Sequence, residues 1–254
     1  LVPGNVIWRA IASATGRRLV DRLGIPVCLT IGSLDLLHET HPCFMGRLGP
    51  LGQRRANFTI QNSDLVLALG SSLSLSTIGF NTEGFATRAK KVMVNVDANE
   101  IDKARPVPDL GIVAEVGEFM EQMLALPIAD WGDKLAPWWQ ACRHWCAQYP
   151  PVTEDYFADK DHVNTYVFTD VLSDLLGESD AVLTGNSLDI WSSYQTFKLK
   201  EGQRLFTNIN YGSMGWDLPG VVGACVARNG RRKILVTGDG TIQFNIQELM
   251  TIDH

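Results

Sequence analysis

The segment Gly238-Asp239-Gly240 carries the residue types best suited to chemistry in this sequence. It follows the apolar run Ile234 to Val236, which predicts a short buried strand, and from Thr241 on apolar residues recur at helical spacing. Glycine lets a backbone approach a ligand closely, and a helix N-terminus offers N–H groups to an anion. Because a carboxylate repels a bare phosphate, Asp239 fits there only with a cation between them, and Mg²⁺ commonly fills that role. The turn predicts a Mg²⁺-diphosphate site; a plain Asp-Gly turn ending a core strand is the alternative.

Two more glycine-bearing turns accompany this segment in the last third of the chain. They are Gly185-Asn186-Ser187 and Gly212-Ser213-Met214-Gly215. Each follows a predicted strand or precedes a predicted helix. In an open α/β sheet such loops gather at the carboxyl edge, where ligands bind. Together the three turns offer polar donors, one large soft side chain and one carboxylate. This set suits a ligand with a diphosphate at one end and an apolar or aromatic body.

The composition restricts the class of protein. The 254 residues are 45% hydrophobic and 20% charged, with a net charge of −6. This acidic balance argues against nucleic acid and against an anionic membrane surface as partners, and no apolar run reaches membrane-spanning length. The start, Leu1-Val-Pro-Gly, has neither an initiator Met nor a signal-peptide pattern, so we expect the segment to begin inside a longer protein.

The five cysteines are scattered and odd in number, which is untypical of a disulfide framework and predicts a reducing, cytoplasmic location. Cys142, His144 and Cys146 offer a metal-binding alternative. Helical spacing places the two cysteines on one face and turns His144 away, and a structural zinc site needs four ligands. The favoured interpretation is the buried face of a Trp-rich helix.

Alternating strands and helices predict an α/β protein with two parallel-sheet domains, each with helices on its faces. The predicted strands are 26–30, 65–69, 91–96, 181–184, 205–207 and 234–236, and the predicted helices include 5–23, 117–126, 134–148, 167–176 and 220–227. We place a central α/β domain at residues 1–126, a Pro/Trp-rich linker containing a helix at 127–161, and a diphosphate- and Mg-binding domain at 162–254.

Four charged residues in the first domain allow both a functional and an ordinary interpretation. Asp97 ends a strand where a nucleotide ribose is often bound, but no G-x-G-x-x-G precedes it, and a turn carboxylate is the alternative. Arg47, Arg54 and Arg55 lie in the stretch 46–56, which predicts a loop leading into a helix. We interpret them as solvated loop arginines, with anion binding or a subunit interface as the alternative.

The segment Tyr211-Gly-Ser-Met-Gly-Trp-Asp-Leu-Pro219, followed by the G-D-G…N-x-Q-E-L pattern of residues 233–251, resembles the C-terminal domain of thiamine-diphosphate enzymes of the acetolactate synthase type. The first half agrees, because 23–27, 41–42, 46–52, 62–64 and 96–101 resemble that family's central domain in order. The resemblance covers nearly the whole chain.

The resemblance implies thiamine diphosphate and Mg²⁺ as cofactors and assigns roles residue by residue. Asp239 would bind Mg²⁺, while Gly238, Gly240 and Thr241 would line the diphosphate. Met214 would wedge the cofactor into its bent form, and the Gly212 carbonyl would accept a hydrogen bond from the aminopyrimidine. Ser213 belongs to the same turn. Asn186 and Ser187 match a turn that also reaches the diphosphate, although Gly-Asn-Ser departs from the commoner Gly-Gln-His.

The resemblance further implies parts of the site that these 254 residues do not carry. A glutamate from an N-terminal pyrimidine domain would activate the aminopyrimidine, and a second Mg²⁺ ligand, an Asn, would follow after His254. The family site forms between subunits, so the expected partner is a second copy of the chain, as a dimer or tetramer, or a chain carrying the pyrimidine domain. We expect residues 1–254 alone to bind the cofactor weakly and to be inactive.

The expected reaction is the decarboxylation of a small-molecule 2-keto acid with carboligation. A related 2-keto acid decarboxylase or another carboligase, for example in sugar or sulfonate metabolism, is the alternative within the class. A non-catalytic binding or assembly module is the alternative from another class. FAD is a weaker expectation, since residues 70–76 lack the Arg- and Asp-bearing form of flavin-binding members.

Overall fold

A computed structural model describes residues 1–8, 12–127, 131–158, 161–209, 211–227 and 230–253. The chain divides into two compact units, Leu1–Pro150 and Pro151–His254. The division falls inside the stretch 127–161, which the sequence predicts to be a linker. Within the described ranges, no helix combines the length and the apolar character needed to cross a membrane.

The first unit is a parallel α/β fold. Its described strands are β1 (Val2–Pro3), β2 (Val27–Leu29), β3 (Phe44–Arg47), β4 (Leu65–Leu69), β5 (Lys90–Asn95) and β6 (Leu110–Val113). Its described helices are α1 (Ala12–Leu23), α2 (Arg54–Gln61), α3 (Leu75–Ile78), α4 (Ala98–Asp102), α5 (Val116–Ala125) and α6 (Ala136–Gln148), with 3₁₀ turns at Asn5–Trp8, Ile31–Ser33, Thr82–Gly84 and Gly132–Leu135.

All strand pairs of this unit are parallel, as the sequence predicts. The main sheet has the order β1-β4-β5-β6, and β2 pairs with β3. The pair β2–β3 adjoins β1, because the Cys28 N–H donates to the Leu1 carbonyl over 3.0 Å. Strand β4 has the predicted bounds, Leu65–Leu69. Helix α1 ends before Gly24, whose φ of +56° suits the predicted glycine cap.

The prediction for Arg47 as a solvated loop residue is wrong. Residues Phe44–Arg47 form a fully buried strand, and Arg47 is 0% exposed. Its Nε donates to the Leu34 carbonyl over 3.4 Å, and its guanidinium lies 5.5 Å from the centre of the Phe44 ring. Arg55 also differs from the prediction, since it is part-buried and forms an ion pair with Glu39. A buried charge persists when hydrogen bonds and ion pairs replace water.

Helix α6, expected to lie in a linker, packs on the first unit. The Trp139 Nε1 donates to the Gly24 carbonyl over 3.1 Å, and the Thr59 hydroxyl lies 3.8 Å from the Cys142 sulfur. Cys142 is fully buried, and Cys146 is partly buried one helical turn later. The interpretation of these cysteines as a buried helix face is therefore confirmed for Cys142.

The second unit contains a three-stranded parallel sheet in the order β8-β7-β9. Its described elements are α7 (Thr165–Leu175), β7 (Ala181–Thr184), α8 (Leu188–Thr196), β8 (Arg204–Phe206), α9 (Asp217–Ala227), β9 (Lys233–Val236), α10 (Asp239–Gln243) and α11 (Glu248–Asp253), with a 3₁₀ turn at Glu154–Phe157. Strand β7 lies between the other two and is fully buried.

Two helical features of this unit differ from the sequence expectation. Helix α8 directly follows the turn 185–187, where no helix is predicted. The helix expected from Thr241 onward is divided into α10 and α11. The division occurs where Asn245 donates its Nδ2 hydrogen to the Gly215 carbonyl over 2.6 Å, which draws this segment toward the turn before α9.

Candidate cofactor-binding site

Two of the three glycine turns of the second unit, 185–187 and 238–240, start from one edge of its sheet. Strands β7 and β9 are parallel neighbours, so Gly185 and Thr237, the residues that follow them, lie side by side. The Gly185 N–H donates to the Val236 carbonyl over 2.7 Å. This is the carboxyl edge, where open α/β sheets bind their ligands.

The turn 185–187 contacts the turn 212–215 through one hydrogen bond. The Asn186 Nδ2 donates to the Gly212 carbonyl over 2.5 Å. Gly212 has φ +59°, a backbone conformation that favours glycine. Ser187 also has a positive φ, +59°, and is exposed at the start of α8. A non-glycine residue in this region is uncommon and costs energy, which is typical of functional sites.

Met214 connects the turn 212–215 with the turn 238–240. A Cβ atom at Gly240 would lie 3.1 Å from the Met214 Cε, so the thioether side chain rests on the glycine backbone. Met214 is nonetheless 46% exposed. A large, soft and half-exposed side chain beside a glycine turn can contact a flat ligand. Ser213, next to it, is exposed as well.

The turn 238–240 has the features that a Mg²⁺-diphosphate group requires. Gly238 is the N-cap of α10, and no side chain caps this helix end. The first N–H groups of a helix have no partner within the helix, so here they can point at an anion. Asp239 is exposed and can reach a cation on that anion. These residues therefore fit the group that the sequence predicts for them.

The environment of the Thr241 side chain differs from that expected for a side chain that faces a ligand. It is buried, and its hydroxyl donates to the Asp217 carboxylate over 3.1 Å. The same hydroxyl accepts a hydrogen bond from the Gly215 N–H over 2.7 Å. The side chain of Thr241 thus joins the two turns beneath the surface and is not free for a ligand.

Two aspartates at this site were not singled out from the sequence. Asp217, the first residue of α9, is 1% exposed and also accepts a hydrogen bond from the Thr237 hydroxyl. Asp189, in α8, is partly buried close to Gly238. Burial, and then the charge of Asp217, raise the pKa of Asp189, while backbone N–H groups of Asn186 and Gly238 oppose the rise. The sequence signal that could have identified these two aspartates is a carboxylate in the first turn of an apolar helix.

The cysteines were the alternative candidates for a metal site. Among the described residues, no group of three or more His, Cys, Asp or Glu side chains is arranged to hold a metal ion. Burial raises the pKa of the Cys142 thiol to about 11 and that of Cys28 to about 12. Thiols with such pKa values are protonated at neutral pH and are therefore weak nucleophiles.

The carboxyl edge of the first sheet is closed between β1 and β4. A Cβ atom at Gly4 would lie 1.9 Å from the Gly70 carbonyl oxygen, and one at Gly70 would lie 2.0 Å from Val6 Cγ2. The two turns therefore approach each other closely at this edge. Asp97 caps α4, accepting a hydrogen bond from the Asn99 N–H over 2.9 Å.

Comparison with known proteins agrees with the two-unit architecture. Residues 1–123 match the family model of the thiamine pyrophosphate enzyme central domain, and residues 185–253 match that of the C-terminal TPP binding domain. The chain belongs to the thiamine pyrophosphate enzyme family. The second match includes all three glycine turns, and the first ends inside α5.

Three similar curated proteins are named acetolactate synthase. The chain is 28% identical to acetolactate synthase isozyme 1 large subunit of Escherichia coli (strain K12) over 242 residues, 94% of this chain and 41% of that protein. It is 30% identical to the acetolactate synthase large subunit of Porphyra purpurea, over 93% of this chain and 39% of that protein. It is also 30% identical to chloroplastic acetolactate synthase 1 of Nicotiana tabacum, over 93% of this chain and 35% of that protein. The chain thus spans about 40% of the length of the first two relatives.

Proposed function

We propose that this protein takes part in the thiamine-diphosphate- and Mg²⁺-dependent decarboxylation of a 2-keto acid, followed by carboligation, as in acetolactate synthases. The relatives' names support this reaction. The observation that carries the proposal is the contact of Met214 with Gly240, because it brings the predicted wedge residue against the predicted diphosphate turn.

The residues of the second unit have separate tasks in this proposal. Asp239 holds Mg²⁺, Gly238 and Gly240 line the diphosphate, and the N–H groups of the first turn of α10 bind it. Met214 supports the cofactor in its bent form, and the Gly212 carbonyl accepts from the aminopyrimidine. Asn186, Ser187 and Ser213 line the approach between these groups. When bound, the thiazolium ring supplies the electron sink that decarboxylation of a 2-keto acid needs.

The Gly212 carbonyl has room for two hydrogen bonds in its proposed role. Its oxygen carries two lone pairs, and Asn186 occupies one of them. The Asn186 amide fixes the direction of this carbonyl and leaves the second lone pair for a ligand donor. A fixed acceptor costs no reorganisation when the ligand arrives.

Further groups of the site come, in this proposal, from outside residues 1–254. The family resemblance implies an activating glutamate and a second Mg²⁺ ligand in addition to the residues named above. We propose that a second copy of the chain, or a polypeptide with a pyrimidine domain, supplies the glutamate. The relatives are named "large subunit", which supports an oligomeric assembly. A cytoplasmic location stays a prediction, since the relatives include a chloroplastic protein.

Product analysis distinguishes this reaction from its alternative within the class. The complete protein is incubated with thiamine diphosphate, Mg²⁺ and [¹³C]pyruvate, and the products are identified by NMR. We expect CO₂ and acetolactate. Acetaldehyde with CO₂ and no carboligation product would replace the proposal with a 2-keto acid decarboxylase. No turnover of any small 2-keto acid, despite bound cofactor, would contradict both.

A further inference from the structure

A buried carboxylate binds both flanks of the turn that the proposed function assigns to the diphosphate. Asp217 is 1% exposed at the start of α9. Its Oδ2 accepts from the Thr237 hydroxyl, and its Oδ1 accepts from the Thr241 hydroxyl over 3.1 Å. These two threonines directly precede and follow Gly238–Gly240. One carboxylate therefore fixes both ends of the turn.

The same group of hydrogen bonds continues into the turn that carries Met214. The Thr241 hydroxyl accepts from the Gly215 N–H over 2.7 Å, and Asn245 donates to the Gly215 carbonyl over 2.6 Å. The packing is close, because a Cβ at Gly215 would lie 2.7 Å from the Cβ of Phe244. Both polar groups of the Gly215 peptide are thereby held by the segment that follows Gly240.

The burial of the Asp217 carboxylate has a free-energy cost. Taking a carboxylate out of water is unfavourable, and hydrogen bonds from hydroxyl donors recover only part of that cost. Asp217 also brings negative charge close to a turn that would bind an anion, and it lies near Asp189, whose pKa it raises. What the carboxylate provides is a fixed geometry, since an ionised acceptor makes shorter and stronger hydrogen bonds than a neutral one.

We propose that Asp217 is a positioning residue, which sets the spacing between the diphosphate turn 238–240 and the turn that presents Met214. This inference rests on the proposed cofactor. Without the carboxylate, Thr237 and Thr241 lose their common acceptor, and the turn 238–240 can shift relative to Met214. The cofactor must contact both turns at once, so such a shift lowers its affinity.

The test compares Asp217→Asn with Asp180→Asn in the complete protein. Asp180 is the matched control, a 4% exposed aspartate of the same unit that binds Arg232 and the Gly177 N–H at the opposite end of β7. The dissociation constant for thiamine diphosphate with saturating Mg²⁺ is measured by calorimetry, and the Tm without cofactor is measured for each variant. We expect Asp217→Asn to weaken binding about tenfold, equivalent to about 1.4 kcal/mol. Asp180→Asn should change the dissociation constant less than twofold, even if its Tm falls by as much as the Tm of Asp217→Asn.

A second pair of variants keeps the test decisive if Asp217→Asn does not fold. Thr237→Val removes one hydroxyl at nearly constant volume, whereas Thr237→Ser keeps it. We expect weaker cofactor binding in the valine variant and wild-type binding in the serine variant. Equal dissociation constants for wild type, Asp217→Asn and Thr237→Val would overturn the positioning role. An absence of thiamine-diphosphate binding to the wild type would instead refute the proposed function.

Discussion

The side-chain amide of Asn186 donates a hydrogen bond to the carbonyl of Gly212 over 2.5 Å. This bond joins two turns that are 26 residues apart in the sequence. The carbonyl involved is the one expected to accept from the aminopyrimidine. In the proposed site, Asn186 therefore orients an acceptor, in addition to any contact of its own with the ligand.

Replacing Asn186 by Ala should weaken cofactor binding. One hydrogen bond contributes ~1 kcal/mol, so we expect the dissociation constant for thiamine diphosphate to rise about fivefold. Asn62→Ala is the control, because Asn62 makes a similar bond to the Phe58 carbonyl in the first unit, over 2.9 Å. Calorimetric titration of both variants checks the prediction. An equal affinity in the two variants would show that the Asn186 bond does not orient the site.

Met214→Ala should lower the activity strongly while leaving the free energy of unfolding nearly unchanged. The side chain is 46% exposed, so its truncation should change the free energy of unfolding by less than about 1 kcal/mol. Turnover of the 2-keto acid should fall at least about tenfold, since the support for the bent cofactor is lost and each ~1.4 kcal/mol of barrier is tenfold in rate. Met214→Leu keeps most of the volume and is the control. Unchanged turnover in the alanine variant would refute the wedge role.

Asp239→Asn should remove the effect of magnesium on cofactor affinity. In the proposed site, Mg²⁺ links the carboxylate to the diphosphate, so chelation with EDTA should weaken binding to the wild type at least about tenfold. In the asparagine variant the affinity should already be low and should respond little to EDTA. Asp253→Asn, an exposed aspartate on α11, is the control and should behave like the wild type. An Asp239→Asn variant with full magnesium dependence would place the metal elsewhere.

The pKa of Asp189 predicts a pH effect on stability with a defined sign. Burial raises this pKa in the folded state, so the native protein binds more protons than the unfolded chain between the unfolded-state pKa, about 3.9, and the raised value. The contribution of Asp189 to the free energy of unfolding is therefore greatest below that window and is lost as pH rises through it. Asp189→Asn should destabilise less, relative to wild type, at pH 7 than at pH 3.5.

Asp180→Asn is the matched control for this pH effect. The Arg232 guanidinium holds the pKa of Asp180 below its usual value. Its stabilisation is present above the unfolded-state pKa and lost as pH falls, so this variant should lose more stability at pH 7 than at pH 3.5. Urea unfolding at both pH values measures the two differences. The same sign for both variants would contradict the assigned environment of Asp189.

Runs of apolar residues and glycine turns allowed part of the fold to be predicted from the sequence. The apolar runs at β4 and β7 gave their bounds. The glycine turns predicted the candidate site, and the structure brings these turns into contact. The environments of Arg47 and Asp217 were not predictable in this way. Arg47 lies in a stretch rich in Gly and Arg, which suggests solvent, yet it contacts Leu34 and Phe44 inside the unit. The hydrogen-bond partners of Asp217 follow it by 20 and 24 residues, and no spacing rule connects them.

Calorimetric titration of thiamine diphosphate into the complete wild-type protein, with Mg²⁺ and then with EDTA, tests the central claim most directly. The proposed site predicts saturable binding of one cofactor per chain with Mg²⁺, and a loss of that binding in EDTA. Residues 1–254 alone should bind more weakly and should not turn over a 2-keto acid. No saturable heat for the complete protein with Mg²⁺ would contradict a working cofactor site at Gly238–Gly240.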